Sequence, residues 1–238
     1  MAEHRLVQTA QVQRLLGIGA AAARARLRGL AEAGLIRSER PFGGRTALHL
    51  ITTAGLRSVG CTLRPPRLDL SAHHHDIGVG WLWLAARAGA FGPLEQVIGE
   101  RRMRSLDATA PPGGQPLAVR LGGSGPGGRE RLHYPDLLLI TPEGRRVAVE
   151  LELTSKGRRR REQILGGYAA DVRVDAVLYL VGNASLGRAI RCSARAMGIA
   201  ELVHVQLGRV QADLDGGRPS GRALTRRAAG RARAELGG

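Results

Sequence analysis

Residues 147–154 read Val-Ala-Val-Glu-Leu-Glu-Leu-Thr, a strict alternation that only a β-strand can use. Val147, Val149, Leu151 and Leu153 fall on one face, and Ala148, Glu150, Glu152 and Thr154 on the other. The runs that should flank this strand, Leu137–Ile140 and Ala176–Val181, are apolar on both faces. An edge strand with two solvated glutamates would show the same alternation, but such runs suit strands covered on both sides and favour a central place in a sheet. Two glutamates there cost several kcal/mol each unless something pairs with them.

The rest of the second half fits this sheet. Helices are expected over about 71–90, 159–170 and 185–197, and strands over 96–104 and 202–207. Ser71 is the expected cap of the first helix, with Ile77, Trp81, Leu84, Ala85 and Ala88 as its apolar stripe. Strands alternating with helices predict a mixed sheet flanked by helices. Residues 110–128, rich in Gly and Pro, are expected to be a surface loop.

Asp136, at the start of the neighbouring strand, is a third carboxylate within reach of Glu150 and Glu152. Lys156, the only lysine in the chain, lies just past the strand. These three carboxylates are hard oxygen ligands, and with the lysine they suit Mg²⁺ or Mn²⁺. The chemistry such an ion supports is phosphodiester hydrolysis. The readings carried forward are Asp136, Glu150 and Glu152 as metal ligands, and the same three with Lys156 as catalytic residues. His73, His74 and His75 point about 100° apart on a helix, so they cannot all face one ion. One is expected to touch the core and two to be solvated. Glu100 is read first as an exposed strand charge and second as an auxiliary acid.

Residues 1–61 follow a different plan. Thr9 is the expected cap of a short helix over 10–16, Gly17-Ile18-Gly19 makes a turn, and a second helix runs over 20–33. Two strands, 35–40 and 46–52, surround a Gly-Gly turn. The second helix carries Arg24, Arg26 and Arg28. The 62–70 stretch, with its paired prolines, reads as a linker, and 71–210 as a second domain. From 211 to 238 the chain is Gly, Arg and Ala, a basic tail with little to bury.

Lys+Arg number 36 against 20 Asp+Glu, a formal net charge of +16. This favours a polyanionic partner, although the charge is spread along the chain and locates no site. Two cysteines are too few for a disulfide framework. The first residues lack a signal-peptide pattern and no stretch is apolar enough to span a bilayer, so a cytoplasmic protein without a membrane partner is expected. No phosphate-cradling glycine loop and no Ser-His-Asp order is present.

Helix, turn, helix, Gly-Leu-Ile and hairpin over about 3–60 resemble a winged helix-turn-helix. The resemblance implies double-stranded DNA as partner. Arg24, Arg26 and Arg28 would then meet bases and phosphates in the major groove, and Arg40 and Arg45 phosphates from the wing. Pro135-Asp136 followed by Glu150-Leu151-Glu152 resembles the PD-(D/E)XK nuclease superfamily over about 71–207. That resemblance implies metal binding by Asp136 and Glu150. Glu152 stands where lysine is usual; in some members the lysine migrates, and Lys156 is the residue available to replace it. Gln163 and Tyr168 are similar to a Gln-Tyr pair of some members, one residue off in spacing.

The whole pattern, with Ile98-Gly99-Glu100-Arg101-Arg102-Met103-Arg104 added, resembles the replication-relaxation family of plasmids and mobile elements. This implies DNA replication or relaxation, with replication or mobilisation proteins as further partners. A two-fold operator would require a homodimer, although no coiled-coil heptad is present to make one. Two functions stay open: a Mg-dependent DNA endonuclease or nickase, and a non-catalytic DNA-binding accessory factor or regulator with an inactive nuclease-like domain.

Overall fold

The computed structural model describes residues 1–41, 46–111 and 113–208. Arg45 and the 211–238 tail therefore lie outside the described residues. The chain is mixed α/β with helices and sheets segregated into two packed regions, an α+β arrangement.

The N-terminal region comprises β1 (Val7–Gln8), α1 (Thr9–Leu16), α2 (Ala20–Glu32), β2 (Ile36–Glu39), β3 (Leu48–Ile51) and α3 (Thr53–Ser58). Its strands form a three-stranded antiparallel sheet in the order β1-β3-β2. Gln8, not Thr9, is the N-cap of α1: its backbone N–H donates to Gln11 Oε1 at 2.8 Å. The Thr9 hydroxyl is engaged elsewhere, 3.1 Å from His49 Nε2, while Ser38 Oγ lies 2.8 Å from His49 Nδ1. This small polar chain satisfies a buried histidine in the middle strand. Only Ala23 and Leu27 of α2 are buried, and most of the helix faces outward.

The 62–70 segment has neither helix nor strand. It is nonetheless held in place: Arg37 Nη2 donates to the Pro66 carbonyl and Arg101 Nη2 to that of Arg64.

Next comes α4 (His73–Arg87). Ala72 is its N-cap, and Ser71 instead hydrogen-bonds Asp69. Of the expected stripe Ile77 and Leu84 are buried and Trp81 and Ala85 partly so, but the burial extends beyond one stripe. Ile77 packs with Leu6, Leu48 and Leu50 of the N-terminal region, whereas Leu82 and Ala86 pack on the second sheet; Ala88 is exposed. Two regions flank this helix, so two of its faces are apolar. Its contact with α1 is close: Gln11 Nε2 donates to the Ile77 carbonyl at 2.9 Å. A Cβ on Gly80 would stand 2.5 Å from that same amide nitrogen.

The second region continues with β4 (Gln96–Gly99), α5 (Glu100–Thr109), β5 (Val119–Ser124), β6 (Glu130–His133), β7 (Leu137–Ile140), β8 (Arg146–Glu152), α6 (Arg158–Ala170), β9 (Ala176–Val181), α7 (Ala184–Ala196) and β10 (Val203–Leu207). Its sheet has the order β10-β9-β8-β7-β4, with β8, β9 and β10 parallel and β7 antiparallel to both its neighbours. The alternating strand is thus the third of five. Val147, Val149 and Leu151 face α4, and Ala148 faces α6 and α7.

Two expectations fail here. The strand at 96–104 ends at Gly99, and Glu100–Arg104 is helical. Met103 is buried there against Ile98 and Leu138, a helical rather than an alternating placement. The expected loop at 110–128 contains β5, which pairs with β6 as a hairpin leaning on α6. The approach needs Gly167, where a Cβ would sit 2.8 Å from the Arg120 carbonyl oxygen.

Candidate active site at the end of the central strand

Glu150 and Glu152 end β8, at the same edge of the sheet as the carboxyl ends of the parallel strands β9 and β10. Open α/β sheets commonly bind ligands at that edge. Both side chains are buried, Glu150 at 1 % and Glu152 at 5 % exposure. As charges they survive there only if compensated.

The compensation is specific. Glu150 Oε1 accepts from Tyr168 Oη at 2.5 Å and from His133 Nε2 at 2.6 Å. Glu150 Oε2 faces Lys156 Nζ at 3.7 Å. Glu152 Oε2 lies 2.7 Å from the same ammonium, and Glu152 Oε1 accepts from the Lys156 backbone N–H at 3.1 Å. The Lys156 ammonium is thus the partner of the buried Glu152 Oε2.

These contacts set the charge states. Burial alone would raise the Glu150 pKa, but His133, Lys156 and the Tyr168 hydroxyl outweigh it and hold the carboxylate ionised. Burial would lower that of Lys156, yet the two glutamates raise it, so the ammonium persists. Burial and the Glu150 charge push the Tyr168 phenol upward, and it remains a donor.

Asp136 joins the group less directly. Its Oδ2 accepts from the backbone N–H of Leu151, the residue between the two glutamates, at 2.8 Å, and from His75 Nε2 at 3.1 Å. Burial opposes protonation of His75, but bonds to Asp136 and Asp76 prevail and raise its pKa to about 10. Asp136 also borders a pocket against the N-terminal region. There Arg5 reaches Glu100 at 3.0 Å and Asp76 at 3.9 Å. Glu100 additionally pairs with Arg104 at 2.9 Å, so it is a helix-start carboxylate in an ion network and not an exposed strand charge.

Of the four sequence-derived catalytic candidates, Glu150, Glu152 and Lys156 thus meet directly, and Asp136 is coupled through the strand backbone. The sequence reading missed His133 and underweighted His75 and Tyr168. His133 lies on the unexpected hairpin, and His75 makes its contact across 61 residues of chain. Gln163 contacts Arg131 rather than the carboxylates.

The donor set, three carboxylates at one sheet end, suits a hard divalent cation. Among the described residues, however, no three His, Cys, Asp or Glu side chains stand grouped as ready ligands. Tyr168 Oη, His133 Nε2 and Lys156 Nζ occupy the positions closest to the glutamate oxygens, so an ion would have to take over the contacts that Lys156 Nζ makes with the two Oε2 atoms.

In the N-terminal region Arg24, Arg26 and Arg28 are all exposed. Arg24 and Arg28 flank the buried Ala23–Leu27 line on one side and Arg26 on the other, as 100° per residue requires. Among the described residues no acidic side chain pairs with them. Arg40 is exposed where the chain leaves β2. No described helix is long and apolar enough to cross a membrane. Comparisons of the chain with family models, with curated proteins and with solved structures find no match.

Proposed function

We propose that this chain is a double-stranded-DNA-binding protein of plasmid or mobile-element replication or relaxation. Its N-terminal region acts as a winged helix-turn-helix, and its second region as a PD-(D/E)XK-like, Mg²⁺- or Mn²⁺-dependent DNA endonuclease or nickase. The observation that carries this reading is the meeting of Glu150, Glu152 and Lys156 at the end of the central strand, with Asp136 tied to the same strand. A two-helix unit with an arginine-bearing second helix and an antiparallel hairpin supports DNA docking.

The chain's own groups divide the work. Tyr168 and His133 fix Glu150 through Oε1, so Oε2, which faces Lys156 Nζ at 3.7 Å, is the oxygen left for a ligand role. Glu152 Oε1 accepts from the Lys156 backbone N–H and so keeps the lysine at the mouth of the cluster. There its ammonium is a point charge for a phosphate oxygen or an attacking water. A bound divalent ion would supply a water of lowered pKa and offset charge developing on the phosphate. In the reaction the water oxygen forms a new P–O bond, the bond to the leaving sugar oxygen breaks, and that oxygen takes up a proton.

A second reading, a non-catalytic DNA-binding factor, is favoured by one specific observation: every nearby cationic position is filled by protein. Supercoiled plasmid incubated with Mg²⁺ or Mn²⁺ separates the two. Nicking that needs metal, stops with EDTA and is lost in Glu150→Gln supports the nuclease. Glu150→Gln keeps the side chain's shape and its acceptor for Tyr168. Intact plasmid that is equally retarded on a gel by both proteins supports the non-catalytic factor.

A further inference from the structure

Lys156 is followed by Gly157 and then by Arg158, Arg159, Arg160 and Arg161, the first turn of α6. A helix start has a positive pole and favours acidic side chains. This turn contains none. Four cations there work against the helix, so helix stability does not explain them.

The four side chains behave differently. Arg161 turns inward, donating from Nε to Ser193 Oγ at 3.0 Å and from Nη1 to the Lys156 carbonyl at 3.4 Å; it ties the lysine-bearing loop to α7. Arg158 folds onto Glu162 at 2.7 Å. Arg159 and Arg160 are exposed, and no acidic side chain among the described residues pairs with them. Gln163, four residues after Arg159 and three after Arg160, shares their helix face. It accepts a hydrogen bond from Arg131 Nη2 on β6 at 3.1 Å. Arg131 thereby joins the same surface. Two residues further along β6 is His133, which holds Glu150. The patch therefore borders the carboxylate cluster at both the Glu150 and the Lys156 ends.

We infer that Arg159, Arg160 and Arg131 form a phosphate-binding surface for the DNA backbone beside the carboxylate–lysine cluster, separate from the arginines of α2. This rests on the phosphodiester reading of that cluster. Four residues separate Lys156 from Arg160, at most about 14 Å of extended chain. One phosphate recurs about every 3.4 Å of axis on each strand. The surface thus lies within about four nucleotides of a phosphate at Lys156. Guanidinium forks match phosphate oxygens in pairs, and the nearby cations raise the local anion concentration. A charged run is ordinarily only a solvated face; this one lacks the interleaved acids such faces usually carry.

The test uses the full chain in EDTA with a short fluorescent duplex, titrated over a range of KCl. Arg159→Ala with Arg160→Ala should lower the log-log slope of affinity against salt by about 1.8, at about 0.9 for each phosphate no longer neutralised. Arg159→Lys with Arg160→Lys should restore most of the slope, because the slope counts neutralised phosphates whatever the shape of the cation. Both sites are exposed, and an unchanged melting temperature verifies that the fold is intact. Wild-type binding with an unchanged slope in the alanine variant overturns this surface while the DNA-binding reading stands. Failure of the wild-type chain to bind duplex overturns both.

Discussion

The two regions of this molecule handle charge in opposite ways. Arg24, Arg26 and Arg28 stand on the open face of α2, and no acidic side chain among the described residues pairs with them. Glu150 and Glu152 are buried, and each of their contacts is to a specific side chain or backbone group. The difference separates two kinds of candidate residue. An exposed cation costs the fold little and is free for a partner. A buried carboxylate is part of the fold, and its chemistry and its stability cannot be altered separately.

The contrast can be broken experimentally, beginning where the effect is largest. Glu150→Ala strips the partner from His133 and Tyr168 and leaves a hole in a buried network. Chemical denaturation should show a loss of about 3–5 kcal/mol, as for one partner removed from a buried pair. A loss under 1 kcal/mol would mean that Glu150 is solvated and that the two regions do not differ.

Ile77→Ala comes next. The residue is 2 % exposed and packs among Leu6, Leu48 and Leu50. Truncation should cost about 2–5 kcal/mol. Near-UV circular dichroism and duplex binding should be lost in one transition, because both Trp81 and Trp83 lie on the same helix. Two separated transitions would show that the regions are independent.

Tyr168→Phe removes one donor from Glu150 Oε1 and keeps the ring. About 1–3 kcal/mol should be lost by denaturant titration, the cost of a charged buried acceptor with one partner fewer. At the exposed extreme, Arg24→Ala with Arg28→Ala should change stability by no more than about 0.5 kcal/mol. Duplex affinity should fall by far more than that. Unaltered affinity would remove α2 from the DNA interface.

The smallest effect concerns pH, because the His75 side chain is 37 % exposed and solvent screens its ion pairs. His75 has its pKa raised to about 10 from 6.5 by Asp136 and Asp76, against the pull of burial. A raised folded pKa adds stability that is complete below about 6.5 and fades as pH climbs toward 10. In EDTA, wild-type melting temperature should therefore decline more steeply over that window than that of His75→Gln. Parallel curves would mean that His75 is neutral in the folded protein.

The parts legible in the sequence are those whose local pattern agrees with their surroundings. The strands β7, β8 and β9 announce themselves through apolar runs and a two-residue period, and Glu150 and Glu152 do fall on the face shared with Ala148, opposite Val149 and Leu151. Other elements carry no such signal. The N-cap of α5 is Gly99, with no side-chain oxygen to mark a helix start, and Glu100, Arg101 and Arg102 hide the helical spacing of Met103. The β5–β6 hairpin lies within a run of Gly, Pro and Arg, and its packing partner, Gly167, is nearly 50 residues away from Arg120, the residue it nearly touches. His75 and His133 are visible as residues, but their partners are set by the folded topology. The double-sided burial of α4 is unreadable for the same reason: a helix stripe predicts one neighbour, and this helix has two.

That helix has a consequence for how the chain can be divided. Ile77 closes the N-terminal core while Leu82 and Ala86, about one and a half and two and a half turns later, close the other. A cut in the proline-rich stretch before it removes a wall from the N-terminal piece, exposing Leu6, Leu48 and Leu50, and bares Ile77 on the remainder. The pieces are not interchangeable modules on a string. A graft of residues 1–61 onto another protein would have to bring a surrogate for α4, and a heterologous DNA-reading unit placed before residue 71 would have to offer Ile77 a seat.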